Sequence, residues 1–296
     1  MTTATSLTTR LGADIRIEPL TTHIGSEVTG VDLAVPLDED TRGALAAAFA
    51  ERHVLFFPGQ SLDPGQLARA AAQFGELTQP SAVLPSVDGH PEVVELSNAR
   101  AHAQHRATSG RETWHVDITF QQNPPQAALF QIATVPDVGG DTLFTSVQAA
   151  YDALSEPIRT LIDPLTAIHD GGAGISYEAA NGEAGRWEGE EVNGRRPIEH
   201  PVVAVNPLNG RKGLFVNPQF TRRIVGLGHV ESDNLLRLLF EQGGQPEFTV
   251  RRRWQAGDVA LWDNRAIWHR RVEDLEYGVE RVAYRVQLKG TPPVGP

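Results

Sequence analysis

Apolar and polar positions alternate over short runs along most of this chain and settle into helical spacing in only a few places. Ile15 to Ile17 alternates with charge and predicts a strand. Thr29-Gly30-Val31-Asp32-Leu33 predicts a turn into a second short strand. Asp38 to Arg52 predicts a helix: acidic residues open it, where the helix dipole favours them, and Leu45, Ala48 and Phe49 follow at helical spacing. Val54-Leu55-Phe56-Phe57 predicts a buried strand closed by Pro58-Gly59. Asp63 caps a second helix, with Pro64 at its first position, running to Phe74-Gly75.

Further on the pattern is strand-rich. Ala127 to Ala133, Thr142 to Thr145, Pro201 to Val205 and Gly213 to Asn217 are strand candidates separated by Pro, Gly and Asn. One helix, Ser146 to Ile162, interrupts them, and another spans Ser232 to Gln242. Three strands close the chain, at Phe248 to Arg253, Asp258 to Trp262 and Arg281 to Leu288. Many short strands with few helices predict a mostly β protein with flanking helices, built on a jelly-roll, double-stranded β-helix core of cupin-like type. Residues 170–197 are rich in Gly, Glu and Arg without periodicity, and a long structureless insertion of that kind predicts an active-site lid.

The length of 296 residues suits one large β domain covering the whole chain. A formal net charge of −11 speaks against nonspecific nucleic-acid binding, which needs a basic surface, but leaves room for a local arginine cluster that takes an anion. The chain has no cysteine, so any metal must be held by nitrogen and oxygen. Its first eight residues lack the charged and apolar regions of a signal peptide, and no apolar run approaches a membrane span. A cytoplasmic location without membrane contact is the expectation.

The candidate chemistry lies in Trp114-His115-Val116-Asp117, with a distant His269 after Trp262-Asp263-Asn264-Arg265. Two imidazoles and one carboxylate on one face of an octahedron make the ligand set of a non-haem Fe(II) centre, with open positions for a cosubstrate and O₂. On a strand, His115 and Asp117 would share one face. Arg281 and Arg285, four apart, would also share a face of a strand whose other residues are apolar. Arginines held inside a barrel need anions, and a dicarboxylate supplies one through a bidentate pair. The bland reading of the three ligands is two core histidines and a capping Asp. The Arg251-Arg252-Arg253 run reads as solvated or salt-bridged strand surface, and His102 and His105 as exposed loop residues.

Taken with Gly25 to Leu33, Val54 to Gln60, Gly139-Gly140-Asp141-Thr142 and Phe215-Val216-Asn217, these strings resemble the taurine/2,4-D dioxygenase (TauD/TfdA) family of Fe(II)/2-oxoglutarate-dependent oxygenases over most of the chain. The resemblance implies His115, Asp117 and His269 as iron ligands. It implies Thr142 and Arg281 as contacts to 2-oxoglutarate, and Arg285 as a second arginine near cosubstrate and anionic substrate. Both arginines stand one position further from the distal His than in taurine-type members, which places an extra residue in the Leu275 to Glu280 stretch. Ile118 and Phe220 match substrate-pocket residues. Ser81 and Leu84 stand where taurine-type enzymes carry a His and a Tyr, and Arg111 replaces an Asn. Ser and Leu cannot make those polar contacts, so the resemblance carries the cofactor chemistry further than it carries taurine. Arg111 reads either as a surface residue beside Glu112 or as a clamp for a carboxylate, sulfonate or sulfate.

The implied activity is oxidation of a C–H bond in a small anionic organic substrate, with Fe(II), 2-oxoglutarate and O₂ consumed to succinate and CO₂. An intact Asp117 speaks against halogenation. Desaturation or heteroatom-group cleavage of an amino-acid-like substrate is the alternative within the family. A zinc hydrolase on the same ligands would leave Thr142 and the arginines unexplained, and a non-catalytic jelly-roll binding protein would leave the triad unexplained. Relatives of this kind imply a homo-oligomer, dimer or tetramer.

Overall fold

The fold is described from a computed structural model, which covers residues 9–11, 15–79, 84–97, 113–171, 197–276 and 278–296. In chain order the first half runs β1 (Thr9–Leu11), β2 (Ile15–Pro19), β3 (Ser26–Thr29), α1 (Glu39–Arg52), β4 (Val54–Phe57), α2 (Pro64–Ala72), β5 (Ser86–Val87), β6 (His90–Ser97), β7 (Ala127–Thr134), β8 (Thr142–Ser146), α3 (Val147–Asp152) and α4 (Glu156–Ile162). The second half runs β9 (Thr166–His169), β10 (Ile198–Pro201), β11 (Val203–Val205), β12 (Lys212–Leu214), β13 (Thr221–Ile224), α5 (His229–Gly243), β14 (Thr249–Arg252), β15 (Val259–Asp263), β16 (Ile267–Arg271) and β17 (Val282–Leu288).

The largest sheet has nine strands in the order β1-β2-β3-β4-β15-β7-β17-β6-β5, and faces a three-stranded sheet ordered β14-β8-β16. Residue alternation explains the layering. Leu55 and Phe57 of β4, Leu129 of β7, Leu261 of β15 and Val286 and Leu288 of β17 pack in the cluster shared with α1 and α2. Their neighbours Val54, Phe56, Phe130, Trp262 and Ala283 point the other way, into a cluster with Phe144 and Ile267 of the small sheet. Strands covered on both faces read as continuous apolar runs, which is why Val54–Phe57 is uninterrupted. A third cluster, with Trp268 and Val116, joins the outer side of the small sheet to α3, α4 and α5. The mostly β architecture and its jelly-roll core are thus as the sequence predicts.

Local signals set the helices. Asp38 accepts the Thr41 backbone N–H at the start of α1, and Asp63 and Gln66 form a reciprocal capping box on α2. Four local expectations need correction. The second strand precedes Gly30 instead of following it, because Gly30 turns the chain with φ 78°. The helix expected over Ser146 to Ile162 is two, since Ser155 and Pro157 restart it. His269 lies within a strand of its own, β16, which the three expected closing strands did not include. His115 makes only a single bridge, to His269, before Asp117 enters a turn, so no strand aligns His115 with Asp117. The arginine run behaves as read: Arg251 pairs with Asp141, and Arg252 with Glu27 and Asp258. Among the described residues no helix is long and apolar enough to cross a membrane. The expected lid falls almost wholly on residues 172–196, outside the described residues, as do His102 and His105.

Candidate metal centre and substrate pocket

The bridge between His115 and His269 brings together the two ends of the predicted triad. Each backbone N–H donates to the other residue's carbonyl, at 3.1 and 2.9 Å. Val116, between the two upstream residues, points away into the outer core, and the flanking side chains face inward. The ligating atoms of His115, Asp117 and His269 all lie within 4.8 Å of one another. Asp117 Oδ1 is 3.9 Å from His115 Nε2 and 3.8 Å from His269 Nε2. Cis ligands on a first-row metal at about 2.1 Å stand about 3 Å apart, so a modest inward movement would close this set on one ion.

The protonation states also fit a metal. Burial pushes His269 down to about 3, aided by His115 and Arg285 against the pull of Asp117, so its ring is neutral and offers a lone pair. Burial works against ionisation of Asp117, but Arg285, His269 and His115 outweigh it and hold the carboxyl below the usual carboxylate range. The carboxylate is held at both oxygens: Arg285 Nη1 donates to Oδ1 at 2.8 Å and Gln287 Nε2 to Oδ2 at 3.2 Å.

The imidazoles are oriented differently. His115 Nδ1 lies 3.0 Å from the Thr113 carbonyl, the usual outer partner of a ligating histidine. His269 Nδ1 is buried without a partner among the described residues. Its ring is fixed instead by aromatic faces, with Trp262 at 4.9 Å between centroids and Phe144 at 6.1 Å and 24°.

Thr142 and Arg281 are linked through one aromatic layer, by Trp254 and Phe130. The Thr142 hydroxyl accepts from Trp254 Nε1 at 2.9 Å, which leaves its own O–H to donate. Arg281 Nε donates to the Gly140 carbonyl at 3.1 Å, and its guanidinium lies 5.8 Å from the Phe130 ring centre. Gly140, with φ 74°, leaves room for that side chain: a Cβ there would stand 3.1 Å from Arg281 Cδ. Phe130 touches both Trp254 and Trp262, so an aromatic layer links these residues to His269.

Ile118 follows Asp117 with φ 54°, a left-handed conformation that β-branched residues rarely adopt. Phe220 is half-buried and meets the His115 ring edge-on at 6.4 Å, with Phe120 5.0 Å away. The structure therefore gathers His115, Asp117, His269, Arg285, Ile118 and Phe220, and sets Thr142 with Arg281 beyond the aromatic layer. Arg111 and Ser81 lie outside the described residues, and Leu84 is half-buried. Sequence reasoning missed Gln287, Trp254 and the Gly140 carbonyl. Gln287 was recoverable, since it alternates with Arg285 on the same face of β17.

Residues 16–287 match the family described as taurine catabolism dioxygenase TauD, TfdA family. An alpha-ketoglutarate-dependent sulfate ester dioxygenase from Pseudomonas putida is 36% identical over 300 residues, covering 100% of this chain and 96% of the relative. An (S)-phenoxypropionate/alpha-ketoglutarate-dioxygenase from Delftia acidovorans is 32% identical, covering 94% and 96%. The crystal structure of a taurine dioxygenase from Burkholderia xenovorans superimposes with a TM-score of 0.80 at 39% identity, over 95% of this chain and 91% of that one.

Proposed function

Because this chain belongs to the TauD/TfdA family of Fe(II)/2-oxoglutarate-dependent dioxygenases, we propose that it oxidises a C–H bond of a small organic sulfate ester. The hydrolase and binding-protein readings do not survive family membership. In the proposed arrangement His115, Asp117 and His269 hold the iron, and Arg281 and Thr142 take the distal carboxylate of 2-oxoglutarate. Iron held there would allow O₂ to serve as the oxidant, with two of its four electrons drawn from 2-oxoglutarate, which would leave as succinate and CO₂, and two from the substrate C–H bond.

This chain's own residues do the rest. Arg285 and Gln287 keep Asp117 ionised and aimed at the histidines. Arg285 also offers positive charge to the substrate's anionic head, with Arg111 as a second clamp. Ile118 and Phe220 form an apolar wall against the substrate body. Oxidation at the carbon bearing the sulfate oxygen gives an unstable product that collapses to an aldehyde and inorganic sulfate. The observation that carries the reading is the convergence of three ligand atoms with a buried arginine on the shared carboxylate oxygen.

An aryloxyalkanoate is the second reading, favoured by the (S)-phenoxypropionate relative. Its carboxylate would meet the same arginines. The proposal further takes residues 1–296 as one catalytic domain with a lid at 170–197, assembled as a dimer or tetramer in the cytoplasm.

The test is anaerobic loading with Fe(II) and 2-oxoglutarate, then an O₂ pulse with alkyl sulfates, sulfonates, aryloxyalkanoates and amino-acid derivatives, reading succinate and released sulfate. Succinate rising above the substrate-free rate with alkyl sulfates, matched by sulfate release, is the expected result. A rise with another class alone refutes the sulfate-ester proposal.

A further inference from the structure

Behind the triad lies a set of buried polar side chains that the chemistry above does not use. Thr119, His169, Asn217 and Thr221 come from three segments: the turn after Asp117, the end of β9, and the turn that opens β13. All four are buried. Asn217 Nδ2 donates to Thr119 Oγ1 at 3.1 Å, and Thr221 Oγ1 accepts the Asn217 backbone N–H at 2.8 Å. His169 bridges the two hydroxyls, with Nδ1 3.0 Å from Thr119 Oγ1 and Nε2 3.4 Å from Thr221 Oγ1. The contacts close into a ring.

A neutral imidazole has one donor and one acceptor, on opposite edges. One threonine therefore donates to His169 and the other accepts from it, so the ring is satisfied in either tautomer. Burial, with His200 and Arg222 nearby, keeps His169 far below the usual histidine range and hence neutral.

The ring is tied to Phe220 by hydrogen bonds and to Ile118 through its chain neighbour Thr119. Asn217 Oδ1 accepts the Phe220 backbone N–H at 3.0 Å, and the Phe220 carbonyl accepts from the Asp170 N–H, next to His169, at 2.8 Å. Thr119 follows Ile118 in the turn whose end is held by His200, which donates from Nε2 to the Gln121 carbonyl at 2.9 Å. A left-handed Ile118 persists only where the structure around it over-determines it, and its chain neighbour Thr119 is a member of the ring.

We propose that the Thr119–Asn217–Thr221–His169 ring sets the position of Ile118 and Phe220, and that His169 is a positioning residue for substrate. The proposal rests on the reading of Ile118 and Phe220 as the substrate wall. His169 touches no reacting atom. Its effect passes through the two backbone segments it ties together.

The test compares the full-length wild type with His169→Leu, His169→Asn, Thr221→Val and Phe220→Ala, using hexyl sulfate as probe. His169→Leu is expected to raise the KM for hexyl sulfate about ten-fold and to increase succinate formed without product, because small misplacements cost rate steeply. The KM for 2-oxoglutarate and the iron affinity should stay within about two-fold, a split that general damage to the fold would not give. His169→Asn retains an amide near the Nδ1 position and should recover most of the loss.

A second readout needs no turnover. In the zinc-substituted, 2-oxoglutarate-bound protein, magnetisation transfer between the Phe220 and His115 rings should be present in the wild type and lost in His169→Leu. That between Phe144 and His269 should remain in both. An unchanged Phe220–His115 contact in His169→Leu overturns the proposal whatever the KM does, and this arm decides alone if hexyl sulfate is not turned over. If His169→Leu does not fold, Thr221→Val is read in its place with the same outcomes. Failure of the wall itself is distinguishable: Phe220→Ala that leaves KM and coupling unchanged sinks the wall reading, and the ring's role with it.

Discussion

His53 terminates α1 in the left-handed region, with φ 66°, and is fully buried. Neither ring nitrogen has a hydrogen-bond partner among the described residues. Burial pushes its pKa from 6.5 to about 4, against the pull of the Asp263 carboxylate. In the unfolded chain the same group titrates near its ordinary value. As pH falls through 6.5 the unfolded state therefore takes up a proton that the folded state refuses, and stability declines until pH reaches about 4. The full penalty is about 3 kcal/mol, of which about 2 kcal/mol has accrued at pH 5. The perturbation is His53→Asn, which tolerates the left-handed backbone and does not titrate. Urea unfolding at pH 7.5 and pH 5.0 gives the stability lost by each protein. The wild type should lose about 2 kcal/mol more than the variant. Packing changes introduced by the substitution cancel in that difference, as do all other titrating groups. Equal losses would refute the assignment of His53 as a buried neutral base.

Three further outcomes are expected. Asp117→Ala removes the carboxylate shared by both histidines and Arg285, and should weaken Mn(II) binding at least 100-fold by calorimetric titration; unchanged affinity would remove Asp117 from the metal site. Arg281→Lys keeps the charge but loses the planar fork and the Nε bond to Gly140, so anaerobic titration should show 2-oxoglutarate binding about 10- to 100-fold weaker with iron affinity unchanged. Gly243→Ala would place a Cβ 2.1 Å from the buried Trp268 ring. Overpacking should cost about 1–3 kcal/mol beyond the roughly 1 kcal/mol gained in helix propensity, and a Tm at or above the wild type would contradict it.

The parts of this fold legible in the sequence are those set by local chemistry. Asp38 and Asp63 mark their helices because a carboxylate beside unpaired N–H groups acts over three residues. Val54–Phe57 is legible because a strand covered on both faces is apolar throughout. What was hidden depends on distant partners. β16 carries Ile267, Trp268 and His269 followed by two arginines, and becomes a strand only by pairing with β8. The ligands were legible as residue types at a familiar spacing. Their mode of assembly was not, because the His115–His269 bridge joins segments far apart in sequence. The ring around His169 left no local trace at all: its four members look like ordinary turn and strand residues until three segments meet.

β17 turns its odd-numbered residues, Ala283, Arg285 and Gln287, toward the inner layer, and its even-numbered Val286 and Leu288 toward the helices. Core and chemistry thus occupy opposite sides of one ribbon, so chain length within it is fixed by parity. A single insertion or deletion between Ala283 and Arg285 would send Arg285 into the oily layer under α2 and turn Val286 toward the carboxylate. Substitutions there can be absorbed one at a time; a change of length cannot.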